Sequence, residues 1–411
     1  MHILLFHQYF LEEDGAGGTR FNEMASLWVQ AGHKVTVIAG MMPDQHGKKR
    51  EEYKGKKFVR KNQNDVNVLR CHVSEGYNTN FAGRVFGYFT FTFFSLIAGL
   101  FKTKEHYDLV LVTSPPLFIG LSGYFTAIRK KIPFVFEVRD LWPESVADTG
   151  VVKNKMILSF ARYLEKFIYR KAKLINVLTP AFRKNLVEKK GVPDSKVCYI
   201  PNAADINSAN GAMKSFDKSK LRMDLNCLDK FVVVYVGAHG LANGLNQILD
   251  TAEKLKDTDV VFWLIGKGMK KNELIASAQQ RGINNVMFID PVPKLEVYKY
   301  ILAADVGTSV LIKNDTFKTI YSNKTFDYMS CKRPVLLAID GVSRELVEEA
   351  DCGLFVEPEN SNDFAEKIMT YKNNPELLVQ HGKNGFEYVN KHFDRRKLAV
   401  EYIDCLAQVI K

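Results

Sequence analysis

The chain opens on the apolar stretch "MHILLF" (residues 1–6), and the glycine-rich stretch "EDGAGGTR" (residues 13–20) follows it closely. The apolar run is typical of a buried strand, and residues 21–31 have the spacing of an amphipathic helix. A glycine-rich turn that joins a strand to a helix commonly binds a phosphate or another anion. Because these glycines lack the Gly-x-Gly-x-x-Gly spacing of a dinucleotide site, NAD is not the expected ligand.

The alternation of short apolar runs with amphipathic stretches continues through nearly the whole chain. Strands that alternate with helices form parallel sheets with helices on both faces. Ligands of such sheets bind beyond the carboxyl ends of the strands, so the loops that follow the strands are the important ones. The predicted strands are residues 3–6, 35–38, 66–71, 109–113, 134–137, 174–178 and 197–200, then 231–236, 260–265, 286–289, 306–310 and 335–338.

The two series of strands are separated by residues 201–211, a polar and turn-rich segment that is typical of an interdomain linker. With 411 residues the chain is long enough for two domains. The expected fold is therefore α/β, with two doubly wound, Rossmann-like domains that face a cleft. The first would span residues 1–200 and the second 201–390, and the last helix, about 390–411, is expected to pack back on the first.

The composition and charge favour a cytoplasmic protein that meets an anionic partner. Six cysteines without a Cys-x-x-Cys pair indicate reduced thiols, and the chain begins in a strand without a signal peptide. Residues 1–200 hold 30 Lys and Arg against 18 Asp and Glu, whereas the rest holds 27 against 28. This excess indicates that the first half binds something anionic, although a chance distribution of solvated charges remains the alternative.

Two segments of the first half are candidates for membrane contact. Residues 81–101, "FAGRVFGYFTFTFFSLIAGLF", carry a single charge. They fit a helix that dips into a membrane face, a buried core helix or a true span. Further on, Lys155, Arg162, Lys166 and Arg170 share one face of a predicted helix, and Met156, Phe160, Leu164, Phe167 and Ile168 share the other. Such a basic amphipathic helix suits anionic lipid, and a solvated helix is equally compatible.

Four loops after predicted strands carry polar and glycine residues, and two further motifs accompany them. They are residues 13–20, then "VRDLWPES" (138–145), "IPNAAD" (200–205), "GAHGLANGL" (237–245), "LIGKG" (264–268) and "SNKTFDYMSCKRPV" (322–335). In this order they resemble the retaining nucleotide-sugar glycosyltransferases of the GT-B fold, family four, over nearly the whole chain. "RDLWPES" and "SNKTFDYM" look most like the branch that builds bacterial surface polysaccharides such as O-antigen or capsule, which includes N-acetylfucosamine and N-acetylglucosamine transferases.

The resemblance implies a donor site for a UDP-sugar substrate, with no cofactor and no metal ion. In the family the first glycine loop closes over the donor diphosphate and the acceptor, and a second loop holds the pyrophosphate on a helix N-terminus. A plain strand–helix turn is the structural alternative for the first loop. The implied donor-binding residues are Gly17, Gly18, Gly237, His239, Gly240, Asn243, Gly266, Lys267, Val292, Ser322 and Asp327.

The donor loop departs from the family pattern at two positions. Many members have an arginine and a lysine where this chain has Ala238 and Asn243. The negative charge that develops on the leaving diphosphate must still be stabilised. Lys324, Lys267 and a protonated His239 are the candidate substitutes, and we favour Lys324; a solvated side chain is the alternative for each lysine.

The ribose site also departs from the family pattern. In the family a glutamate binds the ribose, because its carboxylate can accept from two adjacent hydroxyl groups. Asp327 occupies the place of this glutamate. The glutamate that normally precedes it by about eight residues aligns near Thr319, which carries no charge. The contact which that glutamate makes to the sugar is therefore not expected here.

The loop at residues 138–145 holds the candidate catalytic residues Arg139, Asp140 and Glu144, with Lys324 contributed by the second half. Arg139 aligns about where relatives have a histidine beside the transferred sugar. Glu144 suits proton handling at the acceptor hydroxyl or a contact with the acceptor sugar, whereas Asp140 is also placed to cap a helix. No residue is identified as a covalent nucleophile, and the family is thought to use front-face attack with the leaving phosphate accepting the proton.

The sequence thus predicts a retaining glycosyltransferase that transfers an N-acetylated hexosamine or 6-deoxyhexosamine from a UDP donor. The expected acceptor is a polyprenyl-diphosphate-linked glycan. The protein is expected to be peripheral on the inner, cytoplasmic face of the cell membrane, and nucleic acid is not an expected partner. A UDP-sugar 2-epimerase of the same fold and an inactive glycan- or membrane-binding subunit are the alternatives. Asp257-Thr258-Asp259 matches a metal–nucleotide signature but precedes a strand, so no metal is implied.

Overall fold

The computed structural model describes residues 1–12, 20–42, 49–78, 81–148 and 154–410. The chain forms two compact units. Unit 1 comprises Met1–Pro201 and Arg396–Lys411, and unit 2 comprises Asn202–Arg395.

The strands of the described residues form one sheet in each unit. They are β1 His2–Phe6, β2 Lys34–Gly40, β3 Phe58–Gln63, β4 Val66–Cys71, β5 Leu109–Ser114, β6 Phe134–Val138, β7 Leu174–Val177, β8 Val197–Tyr199, β9 Phe231–Val236, β10 Val260–Ile265, β11 Val286–Ile289, β12 Val306–Val310, β13 Val335–Ala338 and β14 Gly353–Phe355.

The helices cover the faces of these sheets. They are α1 Arg20–Gln30, α2 Phe81–Ile97, α3 Ile119–Lys130, α4 Glu144–Asp148, α5 Lys155–Lys171, α6 Pro180–Lys184, α7 Ile206–Ser215, α8 Lys218–Asp224, α9 Asn246–Lys254, α10 Lys271–Gln280, α11 Lys294–Ala303, α12 Asn323–Ser330, α13 Val342–Glu349, α14 Ser361–Asn373, α15 Pro375–His392 and α16 Arg395–Ala407.

The sheet of unit 1 has the order β3-β4-β2-β1-β5-β6-β7-β8, and the sheet of unit 2 has the order β11-β10-β9-β12-β13-β14. All neighbouring strands are parallel except β3, which is antiparallel to β4. The central strands are fully buried, as expected for strands covered by helices on both faces. The predicted α/β fold with two doubly wound sheets is confirmed.

Strands β3 and β14 are additional to the twelve predicted strands. β3 lies at the edge of its sheet, and its sequence "FVRKNQ" is too polar for the apolar pattern of a buried strand. It pairs with β4 through the two-residue turn Asn64-Asp65, where both φ angles are positive. Such a turn joins antiparallel strands because its backbone twist matches theirs.

The predicted linker, residues 201–211, is wrong in its second half. Helix α7 begins at Ile206, and the Asp205 carboxylate caps it by accepting from the Ser208 N–H at 3.0 Å. Ile206 and Ala209 are buried in the core of unit 2. The extended part of the connection is therefore only a few residues long.

Helix α2 covers most of the aromatic segment and packs inside unit 1. The Ser95 and Ser122 hydroxyls hydrogen-bond at 3.1 Å between α2 and α3. Gly99, in the π-helical turn Ala98–Lys102, lies so close to β1 that a methyl group there would be 2.9 Å from the Phe6 ring. These contacts place the segment in the helix layer of a doubly wound domain, which does not fit a separate membrane span.

Within the described residues, Val85–Lys102 is the one helical stretch long and apolar enough to cross a membrane. Only 28% of this stretch is buried, so the alternative of a buried core helix is wrong. The apolar face expected for α5 is also partly wrong. Leu164 and Ile168 are buried, but Met156 and Phe160 are 81% and 59% exposed.

The last helix, α16, packs on unit 1. The Trp28 indole N–H donates to the Ala399 carbonyl at 2.9 Å, and its ring lies 5.7 Å from that of Tyr402. Helix α15 instead packs on α12 in unit 2. The chain therefore crosses between the units a second time, at Arg395.

Candidate active site

The described site residues of unit 1, Arg139, Asp140 and Glu144, follow the carboxyl end of β6, and the loop at residues 237–245 of unit 2 follows β9 next to a change in strand order. The order changes between β1 and β5 in unit 1 and between β9 and β12 in unit 2. At such points the loops separate and leave room for a ligand. In unit 2 the loops after β9 and β12 meet, because the Ile312 N–H donates to the Ala242 carbonyl at 3.0 Å.

Helix α12 carries Lys324 and Asp327 and is fixed to the sheet by Tyr328. The buried Tyr328 hydroxyl donates to the Thr308 carbonyl and accepts from the Val236 N–H, each at 3.0 Å. One hydroxyl thus ties α12 to both β9 and β12. The side chains of Lys324 and Asp327 are held at the carboxyl edge of the sheet as a result.

The Lys324 side chain lies against the first glycine of the donor loop. A methyl group on Gly237 would be 3.1 Å from Lys324 Cε, and the ammonium stands 5.0 Å from the centre of the Tyr235 ring. Burial lowers the pKa of Lys324 to about 8, and Asp327 opposes this shift. Within the described part of the chain the ammonium has no hydrogen-bond or ion-pair partner. A lysine so placed is available to an anion beside Gly237.

His239 does not supply the alternative cation. Its side chain is fully buried, and burial lowers its pKa to about 4 with a further contribution from Lys271. The imidazole is therefore neutral at physiological pH, and the hypothesis of a protonated His239 is wrong. Neither ring nitrogen has a hydrogen-bond partner among the described residues.

Packing requires a glycine at position 266, at the end of β10. Gly266 lies so close to the preceding loop that a methyl group there would be 1.9 Å from the Gly237 carbonyl oxygen. Only glycine permits this contact between the loops after β9 and β10. The Asn243 amide oxygen accepts from the Gly240 N–H at 3.3 Å, so Asn243 stabilises the loop itself.

Lys267 is exposed, whereas Lys271, which the sequence analysis did not single out, is the lysine held at this edge. The Lys271 ammonium donates to the carbonyls of Gly266 and Ile289 at 3.0 and 3.1 Å and pairs with Asp290 at 2.6 Å. These contacts occupy Lys271 with protein groups. Its role is to hold the ends of β10 and β11 together.

Asp327 is paired with a second unpredicted lysine, Lys294, at 2.5 Å. Lys294 is the first residue of α11 and follows Val292, which packs against the core of unit 2. Ser322 is buried, and its hydroxyl hydrogen-bonds with that of Ser309 at 3.1 Å. One oxygen of the Asp327 carboxylate therefore already has a positive partner at the carboxyl edge of the sheet.

We expect Asp327→Ala to weaken UDP binding by about 1–3 kcal/mol, the cost of a lost hydrogen bond to a charged group. Isothermal titration calorimetry with UDP measures this effect. Lys294→Met is the matched control, because it removes the same ion pair but leaves the carboxylate for the ribose. Equal losses in both variants would mean that Asp327 only stabilises α11 and α12, and the ribose assignment would be wrong.

In unit 1, Gly17 and Gly18 lie outside the described residues. Arg139 is partly buried at the carboxyl end of β6; burial lowers its guanidinium pKa, and Glu137 opposes the shift. His7, which directly follows β1 and was not predicted, is buried near it. Burial and the charge of Arg139 lower the pKa of His7 well below its usual range, so His7 is neutral. Arg139 is the cation that this strand end offers to a ligand.

Asp140 and Glu144 both interact with neighbouring residues. The Asp140 carboxylate accepts from the Ser145 hydroxyl at 2.9 Å, and burial raises its pKa despite this hydrogen bond. Glu144 pairs with Lys190 at 3.1 Å, and Lys190 also contacts the buried Glu165. Asp140 therefore stabilises the turn before α4, and Glu144 faces a cation.

A buried ion pair that was not predicted fixes Arg20, the residue at which α1 begins. Arg20 begins α1 directly after residues 13–19, and its guanidinium binds both Glu137 carboxylate oxygens, at 3.2 and 3.1 Å. It also donates to the carbonyls of Ile200, at 2.8 Å, and Pro201. Thr113 and Asn176 complete the shell around Glu137. Arg20 thus connects α1, β6 and the end of unit 1.

Two doubly wound sheets, with glycines and a cation at a change in strand order, are the architecture of the GT-B fold. The sequence matches the family model "Glycosyl transferase 4-like domain" over residues 15–203. It matches "Glycosyl transferases group 1" over residues 217–388. The chain belongs to these glycosyltransferases, and its enzymatic class is that of a glycosyltransferase.

Individual relatives are distant. The WcaI glycosyl transferase of Escherichia coli, named for colanic acid biosynthesis, is 21% identical over 98% of this chain and 99% of its own length. A poly(ribitol-phosphate) alpha-N-acetylglucosaminyltransferase of Staphylococcus aureus is 22% identical over 64% of this chain and 48% of its own. The structure of Anabaena HepE with UDP and glucose aligns with a TM-score of 0.74 at 18% identity, over 99% and 100% of the two chains.

Proposed function

We propose that this glycosyltransferase transfers a sugar from a UDP donor, with retention of configuration, to a lipid-linked glycan acceptor in surface polysaccharide synthesis. The observation that carries the proposal is the Lys324 ammonium beside Gly237, which would bind the diphosphate of a nucleotide sugar. Lys324 would take the place of the arginine and lysine that the donor loop lacks at Ala238 and Asn243.

The proposed donor is UDP linked to an N-acetylated hexosamine or 6-deoxyhexosamine. HepE, with the same fold, was crystallised with UDP and glucose, which supports a uridine nucleotide. The staphylococcal relative is named for N-acetylglucosamine transfer, which supports an N-acetylated sugar. Asp327 would accept from the ribose hydroxyls, and the ion pair with Lys294 would hold its carboxylate in place.

The proposed acceptor is a polyprenyl-diphosphate-linked glycan at the cytoplasmic face of the membrane. Arg139 is a partly buried cation at the carboxyl end of β6 and would bind a phosphate or sugar of this acceptor. The positive charge of residues 1–200 supports an anionic partner. The colanic acid assignment of WcaI supports a role in surface polysaccharide synthesis.

In the proposed mechanism the acceptor hydroxyl attacks from the face that the diphosphate leaves, and the leaving phosphate accepts the proton. Negative charge grows on the diphosphate as the glycosidic bond breaks, and the fixed ammonium of Lys324 stabilises it. With Lys324 in this role the proposed transfer would need no metal ion. Asp327 and Glu144 are held by Lys294 and Lys190, so neither is favoured as a covalent nucleophile.

A screen of nucleotide sugars by thermal shift, followed by transfer to a polyprenyl-diphosphate glycan, tests the proposal. We expect one UDP-sugar to stabilise the protein and to be consumed only when the acceptor is present. Epimerised UDP-sugar without acceptor would indicate the 2-epimerase alternative. Binding without any turnover would indicate an inactive subunit.

We expect kcat/KM for the donor to fall about tenfold for each pH unit above about 8, because this ratio reports ionisation in the free enzyme. Lys324 has a pKa of about 8, so its ammonium is charged below that pH and is lost above it. Lys324→Arg keeps the charge, and its pH profile should therefore lack this alkaline limb. An alkaline limb of equal position in Lys324→Arg would assign the ionisation to another group.

A further inference from the structure

Three neighbouring helices of unit 1 expose large apolar side chains on their outward sides. They are Phe86 and Phe93 of α2, Phe101 of the π-helical turn, Phe125 of α3, and Met156 and Phe160 of α5, which are 46–81% exposed. We call this surface the outer helix face. A contiguous exposed apolar surface of this kind marks a site of interaction with a protein or a membrane.

Contacts between the helices show that the outer helix face is continuous. The Arg129 guanidinium of α3 lies 5.9 Å from the ring centre of Phe101, next to α2. On its other side, Tyr124 of α3 lies 5.2 Å from Phe167 of α5. Helix α3 therefore joins the aromatic side chains of α2 to those of α5.

The helices that carry the outer helix face are basic in sequence. Residues 81–102, 119–131 and 155–171 contain ten Lys and Arg and a single acid, Glu165. Glu165 is buried and bound by Lys190, so it does not offset the charge at the surface. Two copies of this face would bring like charges together, whereas an anionic bilayer would attract the basic side chains and accept the aromatic ones.

An aromatic track leads from the outer helix face to the loop with the candidate acceptor residues. Phe89 of α2, which is 49% exposed, lies 4.6 Å from Phe118, and Phe118 lies 5.8 Å from Trp142. Trp142 stands in the loop between Arg139 and Glu144. The exposed surface and the candidate acceptor site are thus connected through packed rings.

We propose that the outer helix face docks on an anionic phospholipid bilayer and that the aromatic track holds the loop of residues 139–144 at the bilayer surface. Phenylalanine and methionine side chains would insert among the acyl chains, and lysine and arginine would bind the headgroups. The docking surface stands on the contacts above. Its use in presenting a lipid diphosphate to Arg139 rests on the proposed function.

Vesicle flotation without any nucleotide sugar tests the docking. Wild-type protein should bind vesicles that contain phosphatidylglycerol much more strongly than pure phosphatidylcholine. Salt of about 1 M should lower this binding to the level seen with phosphatidylcholine without abolishing it, because screening acts on the charges alone. Replacing Phe86, Phe93, Met156 and Phe160 by Ser should lower binding by about tenfold or more. These side chains are exposed, so the variant should unfold at the wild-type temperature.

The matched control replaces four other exposed residues by Ser: Met223, Leu228, Val379 and Val400. These side chains are 46–68% exposed and lie outside the outer helix face. This variant should bind vesicles like wild type. Equal binding by both variants would overturn the proposal. The proposal would also be overturned if the wild-type protein were a dimer and the fourfold variant that includes Phe86→Ser were a monomer. The outer helix face would then bind a second copy of the chain.

Tryptophan fluorescence tests the position of the loop. Trp28 and Trp263 are 1% and 0% exposed, and Trp142 is the remaining tryptophan of the chain. Lipids brominated on their acyl chains should quench the fluorescence of bound wild-type protein and should not quench bound Trp142→Phe. Equal quenching of bound wild-type protein and bound Trp142→Phe, or no quenching of either, would show that the loop is not at the bilayer.

The docking surface and the proposed function fail in different ways. Vesicle binding as expected, without sugar transfer from any UDP donor, would retain the docking surface and reject the function. Transfer to a detergent-dispersed acceptor by protein that does not float would reject the docking surface and retain the function.

Discussion

Lys324→Met should lower kcat about a hundredfold, about 2.7 kcal/mol in activation free energy, while the donor KM rises much less. Methionine keeps most of the bulk against Gly237 and removes the charge. The ammonium should stabilise the transition state more than the bound donor, because the diphosphate gains negative charge as its bond to the sugar breaks. Steady-state kinetics with the donor identified by the screen measure both constants.

Lys267→Met is the control for Lys324→Met. Lys267 is exposed, so its replacement should leave kcat within about twofold of wild type. His239→Ala should not reproduce the loss of a cation, because the imidazole is neutral with a pKa of about 4. Near-normal kcat in Lys324→Met, together with loss of activity in Lys267→Met, would show that the cation belongs to the other loop.

Arg20→Met should destabilise unit 1 by about 3–5 kcal/mol, because it leaves a buried carboxylate without its partner. Glu137 is fully buried and Arg20 is 4% exposed, so water cannot replace the guanidinium. Two carbonyl oxygens, those of Ile200 and Pro201, lose a donor at the same time. Urea unfolding followed by circular dichroism measures the change.

Arg183→Met provides a matched control for Arg20→Met. Arg183 also binds both oxygens of one carboxylate, that of Asp194 at 2.8 Å, but both side chains are exposed. Exposed ion pairs contribute about 0–1 kcal/mol, so this variant should unfold near the wild-type urea concentration. If the two variants lose equal stability, burial of the Arg20–Glu137 pair is not what stabilises unit 1.

The sequence predicted the parts of the fold that depend on local apolar pattern. Buried parallel strands such as β5 and β9 are continuous apolar runs, because both of their faces are covered by helices. Strand β3 was not predicted, because an edge strand with one solvated face has a polar sequence. Helix α7 was not predicted, because its sequence "INSANGAMKS" has the composition of a turn. The helix is stabilised by packing against α11 and α12, which the local sequence does not reveal.

Candidate site residues in loops after strands could be proposed from the sequence. Their ion-pair partners could not, because these come from distant segments of the chain. Lys324 and Asp327 were proposed from their motif, but Lys294 is 33 residues from Asp327 and carries no local signal. Arg20 and Glu137 are 117 residues apart. A polar residue inside the apolar run "FVFEV" was the one available signal for Glu137. The exposure of Met156 and Phe160 depends on which side of α5 meets α3, which periodicity alone does not determine.

The most direct test of the central claim is the anomeric configuration of the transferred sugar. Wild-type protein is incubated with the UDP-sugar identified by the screen and a polyprenyl-diphosphate glycan, and the new linkage is determined by NMR. We expect one UDP to be released for each sugar transferred and the same anomeric configuration in product and donor. An inverted linkage, or consumption of the UDP-sugar without a glycosylated product, would contradict it.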